Sequence, residues 1–484
     1  MTETAEAVVE GTLIEEILGF TRISVNDESY PVVKQGVEEL LKEVLARDQE
    51  TVRVDKSFVD LMIKELDERL SKQMDEILHH EQFKIIEQPW RSLNFLIDRS
   101  DFTQNIKVEI LNATKDDLAE DFEDAPDITQ TGIYRRVYTD EYGQFGGEPY
   151  GVVIGDYQFS HKASDVRLLK DMSSLAAMTH APFIASANHE FFGIDDFEEL
   201  PSLKELESIF DGAPYIKWRE LRESEDSRNV GLTLPKFMLR PTYGEDLLVR
   251  SFEYQEEVAG KKDYLWGNAS YAYASRLADS FAQYRWCPNI IGPQSGGAVE
   301  DMSINVVESD GRAEIFGPVE TIISDRKEYE LAELGFIPLT LRKGGDHAVF
   351  FSSNSIQKPK KFGNDQEGRV AELNYRLGTQ LPYLFIVSRL AHYIKVLQRE
   401  NLGSWKTRAD LETELNKWLR RYVADQDNPS PATRSSRPLR NAVLTVSEVE
   451  GEAGWYTVSM SVTPHFKFMG ANFTLSLSGM LERA

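Results

Sequence analysis

Gly151-Val152-Val153-Ile154-Gly155 is a short apolar run with the length and composition of a buried strand. A second run of the same kind, Ala181-Pro182-Phe183-Ile184-Ala185, lies further along the chain. Residues 168–177, just ahead of that second run, have the apolar spacing of a helix. Helices and strands that intermix along one chain are typical of α/β and α+β domains. The stretch therefore predicts a mixed α/β fold.

Further patterns extend this mixed body over residues 81–385. Residues 271–284 predict a helix, and Ala348-Val349-Phe350-Phe351 predicts a strand. Ile106-Lys107-Val108-Glu109-Ile110-Leu111 alternates apolar and polar side chains over most of its length, and it predicts another strand. We therefore expect a multi-domain protein whose central part is this α/β body.

The first 30 residues have the character of an arm. Thr12 and Glu15 form a capping-box pattern, and Gly19 ends the short helix that follows it. The apolar positions of that helix are Leu13, Ile14, Ile17 and Leu18. A helix this short is marginal in water by itself, so its apolar face needs a partner, either the core of this chain or another protein. Residues 31–80 then predict two amphipathic helices.

The C-terminal part, residues 386–484, begins with helical patterns. Residues 425–438 are rich in Pro, Ser, Asn and Asp, and they predict a linker. Three strand patterns close the chain, at residues 442–449, 456–462 and 466–477. We expect an antiparallel sheet there, whose edges could accept a strand from another chain.

Composition excludes several classes of protein. The 484 residues include 54 Lys and Arg against 80 Asp and Glu, a net charge of −26, whereas nucleic-acid binding needs a positive surplus. The single cysteine, Cys287, excludes a disulfide framework and a Cys-rich zinc site. No apolar run reaches the ~18 residues of a membrane span, and the acidic start before Arg22 does not fit a signal peptide. We therefore expect a cytoplasmic chain without membrane insertion.

The usual catalytic signatures are missing. The sequence has no G-x-x-x-x-G-K-[ST] loop for a phosphate. Around Ser295, Pro293 stands where a nucleophile elbow needs glycine, which favours a glycine-rich turn. His79 and His80 are neighbours on a predicted helix and point about 100° apart, which disfavours a shared metal ion. We expect no catalytic residue, no metal and no cofactor.

Several stretches, taken together, point to a family. They are Gln88-Pro89-Trp90-Arg91-Ser92-Leu93, Gly146-Gly147-Glu148-Pro149-Tyr150-Gly151, Gly231-Leu232-Thr233-Leu234-Pro235, Tyr264-Leu265-Trp266-Gly267-Asn268-Ala269 and Leu334-Gly335-Phe336-Ile337-Pro338-Leu339. In order and spacing the chain resembles the large sheath subunit of the type VI secretion system, the TssC/VipB family. One departure is Arg240-Pro241-Thr242-Tyr243-Gly244, where the family more often has Pro directly before Tyr-Gly.

The resemblance implies a structural protein rather than an enzyme. Members of the family pair with a small sheath subunit (TssB/VipA), and the heterodimers polymerise into a helical sheath around an inner tube of Hcp protein. The sheath assembles on a baseplate in the bacterial cytoplasm, contracts to propel the tube, and is dismantled by the AAA+ ATPase ClpV. Residues 31–80 are then expected to pair with the small subunit, residues 81–385 to form the middle and outer layers, and residues 386–484 the inner layer.

The resemblance also suggests roles for three groups of residues. ClpV would recognise the short helix at residues 13–18. A basic group would face Hcp, because residues 389–440 hold eleven Lys and Arg against six Asp and Glu; its members are Lys406, Arg408, Lys417, Arg420 and Arg421. A solvated helix face would explain those charges equally well. Strand pairing between subunits is expected at Val443, Thr445, Val458, Met460, Phe473, Leu475 and Leu477.

Two other functions stay open on the sequence alone. One is a soluble cytoplasmic hydrolase that uses the glycine-rich segment around Ser295. The other is a sheath subunit of a phage-tail-like contractile particle. An enzyme would be a discrete particle, whereas a sheath subunit forms long tubes.

Overall fold

A computed structural model describes most of the chain. The described residues are 30–37, 56–244, 252, 254–309, 312–342, 346–363, 365–403, 406–424, 426, 429–449 and 455–465. The chain divides into two compact units, residues 1–73 with 248–254 and residues 74–247 with 255–484. The predicted boundaries at residues 30, 80 and 385 stay predictions.

Helices account for the largest share of the described residues. In chain order they are α1 (Lys56–Leu78), α2 (Glu81–Asp98), α3 (Lys115–Asp124), α4 (Ala163–Thr179), α5 (Leu206–Phe210), α6 (Ile216–Glu223), α7 (Ala269–Tyr284), α8 (Asp325–Glu333), α9 (Gln366–Gly378), α10 (Leu381–Glu400), α11 (Arg408–Leu419) and α12 (Pro431–Ser436). Residues 30–37 are also helical. A π-helix, Arg135–Tyr142, continues the helical turn Gly132–Tyr134.

The strands form one large sheet and three small ones. In chain order they are β1 (Val153–Phe159), β2 (Phe183–Ala187), β3 (Val230–Leu234), β4 (Phe237–Met238), β5 (Trp266–Gly267), β6 (Ala298–Val299), β7 (Asn305–Ser309), β8 (Arg312–Phe316), β9 (Phe336–Leu341), β10 (Ala348–Phe350), β11 (Leu439–Glu448) and β12 (Tyr456–Pro464). The large sheet has the order β1-β2-β3-β9-β10-β6. Its first four strands are parallel, and β10 and β6 add an antiparallel edge. The mixed α/β fold is confirmed.

The large sheet is buried on both faces, which explains its apolar strands. In β2, Phe183 packs into one apolar cluster and the next residue, Ile184, into the cluster on the opposite face. Phe336 and Ile337 of β9 divide in the same way. Because consecutive side chains of a strand point to opposite faces, two covering layers bury every position, and the few polar residues, such as Ser186 and Thr233, are hydrogen-bonded to each other.

Gly231 lets one covering helix lie directly on the sheet. A Cβ atom built at this position of β3 would stand 2.8 Å from Leu381 of α10 and 2.9 Å from both Ile184 and Ile337. Real side chains do not approach that closely, so a larger residue would require these three terminal methyl groups to shift. The helix predicted after residue 386 begins earlier, at Leu381. Its first residue packs into the core of the α/β body.

A third apolar cluster holds the C-terminal elements together. It joins α10, α11, β11 and β12 through Leu390, Ile394, Leu415, Leu419, Leu439, Leu444, Val446, Met460 and Val462. Residues 431–436, inside the segment predicted as a linker, form α12, which is capped by Ser430. The buried Ser435 of this helix accepts a 2.6 Å hydrogen bond from the side-chain amide of Asn289. This part of the segment is therefore attached to the body.

The strand predicted at residues 106–111 is absent, so that prediction was wrong for the described chain. These residues belong to no strand, and the side chains of Ile110 and Leu111 are 67% and 53% exposed. Alternation of apolar and polar residues indicates a preference for extended backbone, but a strand also needs a neighbour with which to pair.

A buried ion network connects the start of α2 to the Arg240–Gly244 stretch. The guanidinium of Arg240, which is 7% exposed, donates to Glu256 over 2.6 Å and to Glu87 over 3.2 Å. The side chain of Glu256 is 1% exposed, and its carboxylate also contacts His79 at 3.0 Å and accepts from the main-chain N–H of Tyr243. Burial would raise the pKa of Glu256, but the hydrogen bonds from Arg240 and Tyr243 outweigh it and hold this pKa below its usual range.

We predict that Glu256→Gln destabilises the protein by about 3–5 kcal/mol, because it leaves the buried Arg240 without its closest counter-charge. The lowered pKa adds a pH dependence with a definite sign. The stability that Glu256 supplies is present above its unfolded-state pKa and is lost as the pH falls through the folded-state pKa, so acid should affect the wild type more than the variant.

Urea denaturation at neutral pH and at about pH 4 measures both effects. The matched control is Glu123→Gln, because Glu123 pairs with Arg167 on the surface, where both side chains are more than half exposed. That change should alter the free energy of unfolding by less than about 1 kcal/mol. Equal effects of the two substitutions would show that the buried network is not a stabilising feature.

Candidate assembly site

The C-terminal hairpin is the candidate site for contact with other chains. Strands β11 and β12 pair antiparallel, with Val443 opposite Ser461 and Thr445 opposite Ser459. Val443 and Thr445 are exposed on the outer face, whereas Val458 and Met460 are buried on the inner face in the third apolar cluster. The predicted set is therefore divided between the two faces. Its remaining members, Phe473, Leu475 and Leu477, lie outside the described residues.

The outer edge of β11 is closed by side chains of helix α11. The Asn416 side-chain amide donates to the Leu444 carbonyl over 2.7 Å, and its oxygen accepts from the Leu444 N–H over 3.0 Å. One turn earlier, the Glu412 carboxylate accepts from the Val446 N–H at 3.4 Å. Near the start of the strand, the N–H of Ala424 donates to the Leu439 carbonyl. These contacts use both main-chain groups of Leu444, the N–H of Val446 and the carbonyl of Leu439, so the middle of the β11 edge is covered.

The outer edge of β12 is open among the described residues. In an antiparallel pair, residues opposite each other in a non-hydrogen-bonded position direct their N–H and C=O groups outward. Leu444 and Val446 have that orientation, so their partners Met460 and Val458 direct their main chains to the other side of the hairpin. No described residue forms a hydrogen bond with those groups. Within the described part of the chain, the β12 edge of the hairpin is therefore unpaired.

Asn416 and Glu412 were not identified from the sequence. They lie four residues apart on an amphipathic helix, where polar side chains normally face water. Their role becomes visible only when α11 is placed against β11. No sequence signal distinguishes a polar residue that covers a strand edge from one that is solvated.

The structure divides the predicted basic group into two sets. Lys406 and Arg408 lie at the start of α11, and Lys417, Arg420 and Arg421 lie at its end, about 18 Å away along the helix axis. Lys406 is paired with Glu414 and Asn401. The other four are exposed, and none of them forms an ion pair with a described residue. Lys417 and Arg421 line a cavity of about 310 Å³ beside Trp418.

The segment around Ser295 is a glycine-rich turn. Gly292 and Gly296 have φ values of 81° and 87°, which glycine adopts without strain. The cavity of about 490 Å³ beside Ser295 is lined by Arg, Asp, Glu, Gln, Asn, Tyr and small residues, and no histidine is among its described lining residues to serve as a base. Burial raises the pKa of the Cys287 thiol to about 12, so this cysteine stays protonated at neutral pH.

Three further expectations concern metal binding, membrane spans and recognition by an ATPase. His79 contacts Glu256, and His80 caps α2 by accepting from the N–H of Gln82. Among the described residues no three His, Cys, Asp or Glu side chains group as metal ligands. No described helix combines the length and hydropathy that a membrane span requires. The predicted ATPase-recognition positions, Leu13, Ile14, Ile17 and Leu18, lie outside the described residues.

The two faces of the hairpin should respond differently to truncation. We predict that Met460→Ala lowers the free energy of unfolding by about 2–5 kcal/mol, because it leaves a cavity between the hairpin and α11. Val443→Ala, on the face where the side chain is 51% exposed, should change it by less than about 0.5 kcal/mol. Thermal and urea unfolding of the two variants makes the comparison. A larger loss for Val443→Ala would reverse the assignment of the faces.

Two family models match the chain. One, described as EvpB/VC_A0108, tail sheath N-terminal domain, matches residues 60–357. The other, described as EvpB/VC_A0108, tail sheath gpW/gp25-like domain, matches residues 370–481. A curated relative, the type VI secretion system sheath protein TssC1 of Pseudomonas aeruginosa (strain PAO1), is 37% identical over 433 residues, which cover 88% of this chain and 86% of that protein.

Two solved structures overlap weakly with this one. The baseplate structure of the anti-feeding prophage is 10% identical with a TM-score of 0.36, covering 77% of this chain and 84% of its own. The contracted helical sheath of the same prophage is 11% identical with a TM-score of 0.32, covering 66% and 67%. Overlaps this weak carry no argument. The family models and the TssC1 relative cover most of the sequence, and on their evidence this chain belongs to the EvpB/VC_A0108 (VipB) tail sheath family, the large sheath subunits of type VI secretion systems.

Proposed function

We propose that this chain is a structural protein that pairs with a small sheath subunit of the TssB/VipA kind and polymerises with it into a helical contractile tube. The family match over both the N-terminal and the gpW/gp25-like regions supports this function. The inner tube is Hcp, the polymer grows from a baseplate in the bacterial cytoplasm, and contraction propels the tube. In this proposal the chain performs no catalysis.

The observation that best supports polymerisation is the half-closed hairpin. Asn416 and Glu412 cover the middle of β11, while the outward main-chain groups of Val458 and Met460 on β12 pair with none of the described residues. We infer that a strand from a neighbouring protomer adds to β12 and that residues 466–477 take part in this exchange. A main-chain ladder depends little on side-chain identity, so it can hold subunits together while their bodies rotate.

Contraction is then a change between two packings of the same subunits. The α/β body has a sheet covered on both faces, and such close-packed cores do not deform gradually. The movement therefore falls on the connections between protomers. The exposed Lys417, Arg420 and Arg421 at the end of α11 fit contact with an acidic surface, which we assign to Hcp. This group is separate from the strand edge.

Electron microscopy tests the proposed function. Negative-stain images should show long tubules when this chain is co-expressed with its small-subunit partner and none when it is expressed alone. A variant that lacks residues 473–484 should retain the unfolding transition of the body but form no tubules. Tubules from this chain alone would favour a phage-tail-like particle with a single sheath chain. Discrete particles in both samples would contradict the sheath function and favour the hydrolase.

The helix that the sequence predicts near the N-terminus provides a second test. We propose that ClpV binds the apolar face formed by Leu13, Ile14, Ile17 and Leu18. Ile17→Asp should abolish retention of ClpV in a pull-down, because a carboxylate in an apolar groove loses its hydration. Glu16→Gln, which changes a neighbouring residue outside that face, should not. Equal retention of ClpV by both variants and the wild type would exclude this helix as its binding site.

A further inference from the structure

One face of α10 attaches that helix to the α/β body through polar side chains. His392, Lys395 and Arg399 are spaced three and four residues apart, which places them on the same side of the helix. Arg399 donates to the main-chain carbonyl of Tyr142, at the end of the π-helix, over 2.7 Å. The Lys395 ammonium lies 4.2 Å from the ring centroids of both Tyr138 and Tyr142, and it donates to the Tyr138 hydroxyl. The π-helix and α10 are therefore joined at this face.

His392 makes a direct hydrogen bond between α10 and the end of α4. This residue is 6% exposed, and its Nε2 atom lies 3.0 Å from the main-chain carbonyl oxygen of Thr179, the last residue of α4. A helix leaves its last carbonyls without a partner in the helix, so an imidazole that carries its proton on Nε2 satisfies this one. The His392 ring also contacts the rings of Tyr142 and His180, at centroid distances of 4.8 Å and 6.1 Å.

Burial keeps both imidazoles neutral. It is the largest of the causes that lower the pKa of His392 to about 4, and the charges of His180, Arg389 and Lys395 act in the same direction. The hydrogen bond to Thr179 raises this pKa but does not compensate. Burial, together with the charge of Lys395, also lowers the pKa of His180 to about 4. Both rings are therefore uncharged at neutral pH.

The charges that act on the two rings are of one sign. Those that shift the pKa of either ring come from α10 and from the histidines themselves, and all are positive. On the π-helix, Asp140 is paired with Arg136. On the 3₁₀ turn that packs against α4 and α10, Asp226 accepts a hydrogen bond from Ser174 over 2.9 Å. Neither acid is among the charges that act on the rings, so a proton on His392 is opposed by its charged neighbours in the described part of the chain.

We propose that His180 and His392 form an acid-sensitive latch between α4 and α10. The latch is closed while both rings are neutral. A proton from the solvent that binds His392 places a buried charge near the Lys395 ammonium, and α10 then separates from the end of α4. Leu390 and Ile394 of α10 belong to the third apolar cluster, so opening also loosens the support of the C-terminal hairpin. The latch is a property of the single chain and does not depend on the proposed sheath function.

The pH dependence of the latch has a definite sign. An unperturbed histidine has a pKa of about 6.5, which lies above the value of about 4 for the buried His392. The open state therefore binds more protons than the closed state. The closed state is fully favoured above about pH 6.5 and loses this advantage as the pH falls toward about 4. Between pH 7 and pH 5, the equilibrium constant for opening should rise about twentyfold through His392 alone.

Hydrogen exchange of the full chain at about pH 7 and pH 5 tests the latch. After division by the intrinsic exchange rate at each pH, the protection of amides in residues 389–400 should fall at least about twentyfold at pH 5, while β2 and β3 keep theirs. His392→Gln keeps an amide donor but takes up no proton, so it should reduce this fall about twentyfold. The double variant His180→Gln/His392→Gln should show a fall of less than about threefold. The matched control is His347→Gln, because His347 contacts Asp346 instead, and it should behave as the wild type.

Lys395→Met tests the latch without changing a histidine. Removal of this cation raises the pKa of His392 toward its ordinary value, so the fall in protection between pH 7 and pH 5 should be smaller than in the wild type. An unchanged or larger fall would overturn the proposal, as would equal falls in the wild type and the double variant. A loss of protection that extends over β2 and β3 would indicate global acid unfolding and would also overturn it. The buried Glu256 network should contribute little at pH 5, because the pKa of Glu256 lies below its usual range.

Discussion

Burial of the large sheet on both faces is the constraint on which the rest of the fold depends. Strands β2, β3 and β9 are buried along almost their whole length because one layer covers each face. Gly231 brings α10 against the sheet, and α10 continues into the cluster that supports α11 and the C-terminal hairpin. The position of the C-terminal hairpin thus depends on how α10 packs against the large sheet.

Much of this arrangement could be predicted from the sequence where the local pattern is sufficient. Ala181–Ala185 is a short apolar run, and a parallel strand buried on both faces has that composition. The hairpin could also be predicted, because the central residues of β11 and β12 alternate between buried and exposed positions. In each of these cases the information lies within a few consecutive residues.

The features that could not be predicted depend on neighbours that are distant in sequence. Residues 106–111 have a strand pattern, yet no described strand lies beside them. Asn416 and Glu412 resemble solvated helix residues until α11 is placed on β11. The five basic residues were predicted as one group, but the helix separates them into two sets. Periodicity reports the conformation that a segment prefers, and it does not report what the segment contacts.

The unequal edges of the hairpin have a consequence for the direction of growth. If both edges were open, two copies could join through identical surfaces and close into a two-fold dimer. In the polymer proposed above, an incoming strand pairs with β12 rather than with the partly covered β11, and it comes from a different part of the donor subunit. When a contact joins two different surfaces, each added subunit still exposes its own unoccupied β12 edge, to which the next subunit can bind. In that proposal, the side chains of α11 that cover β11 give the polymer two different ends.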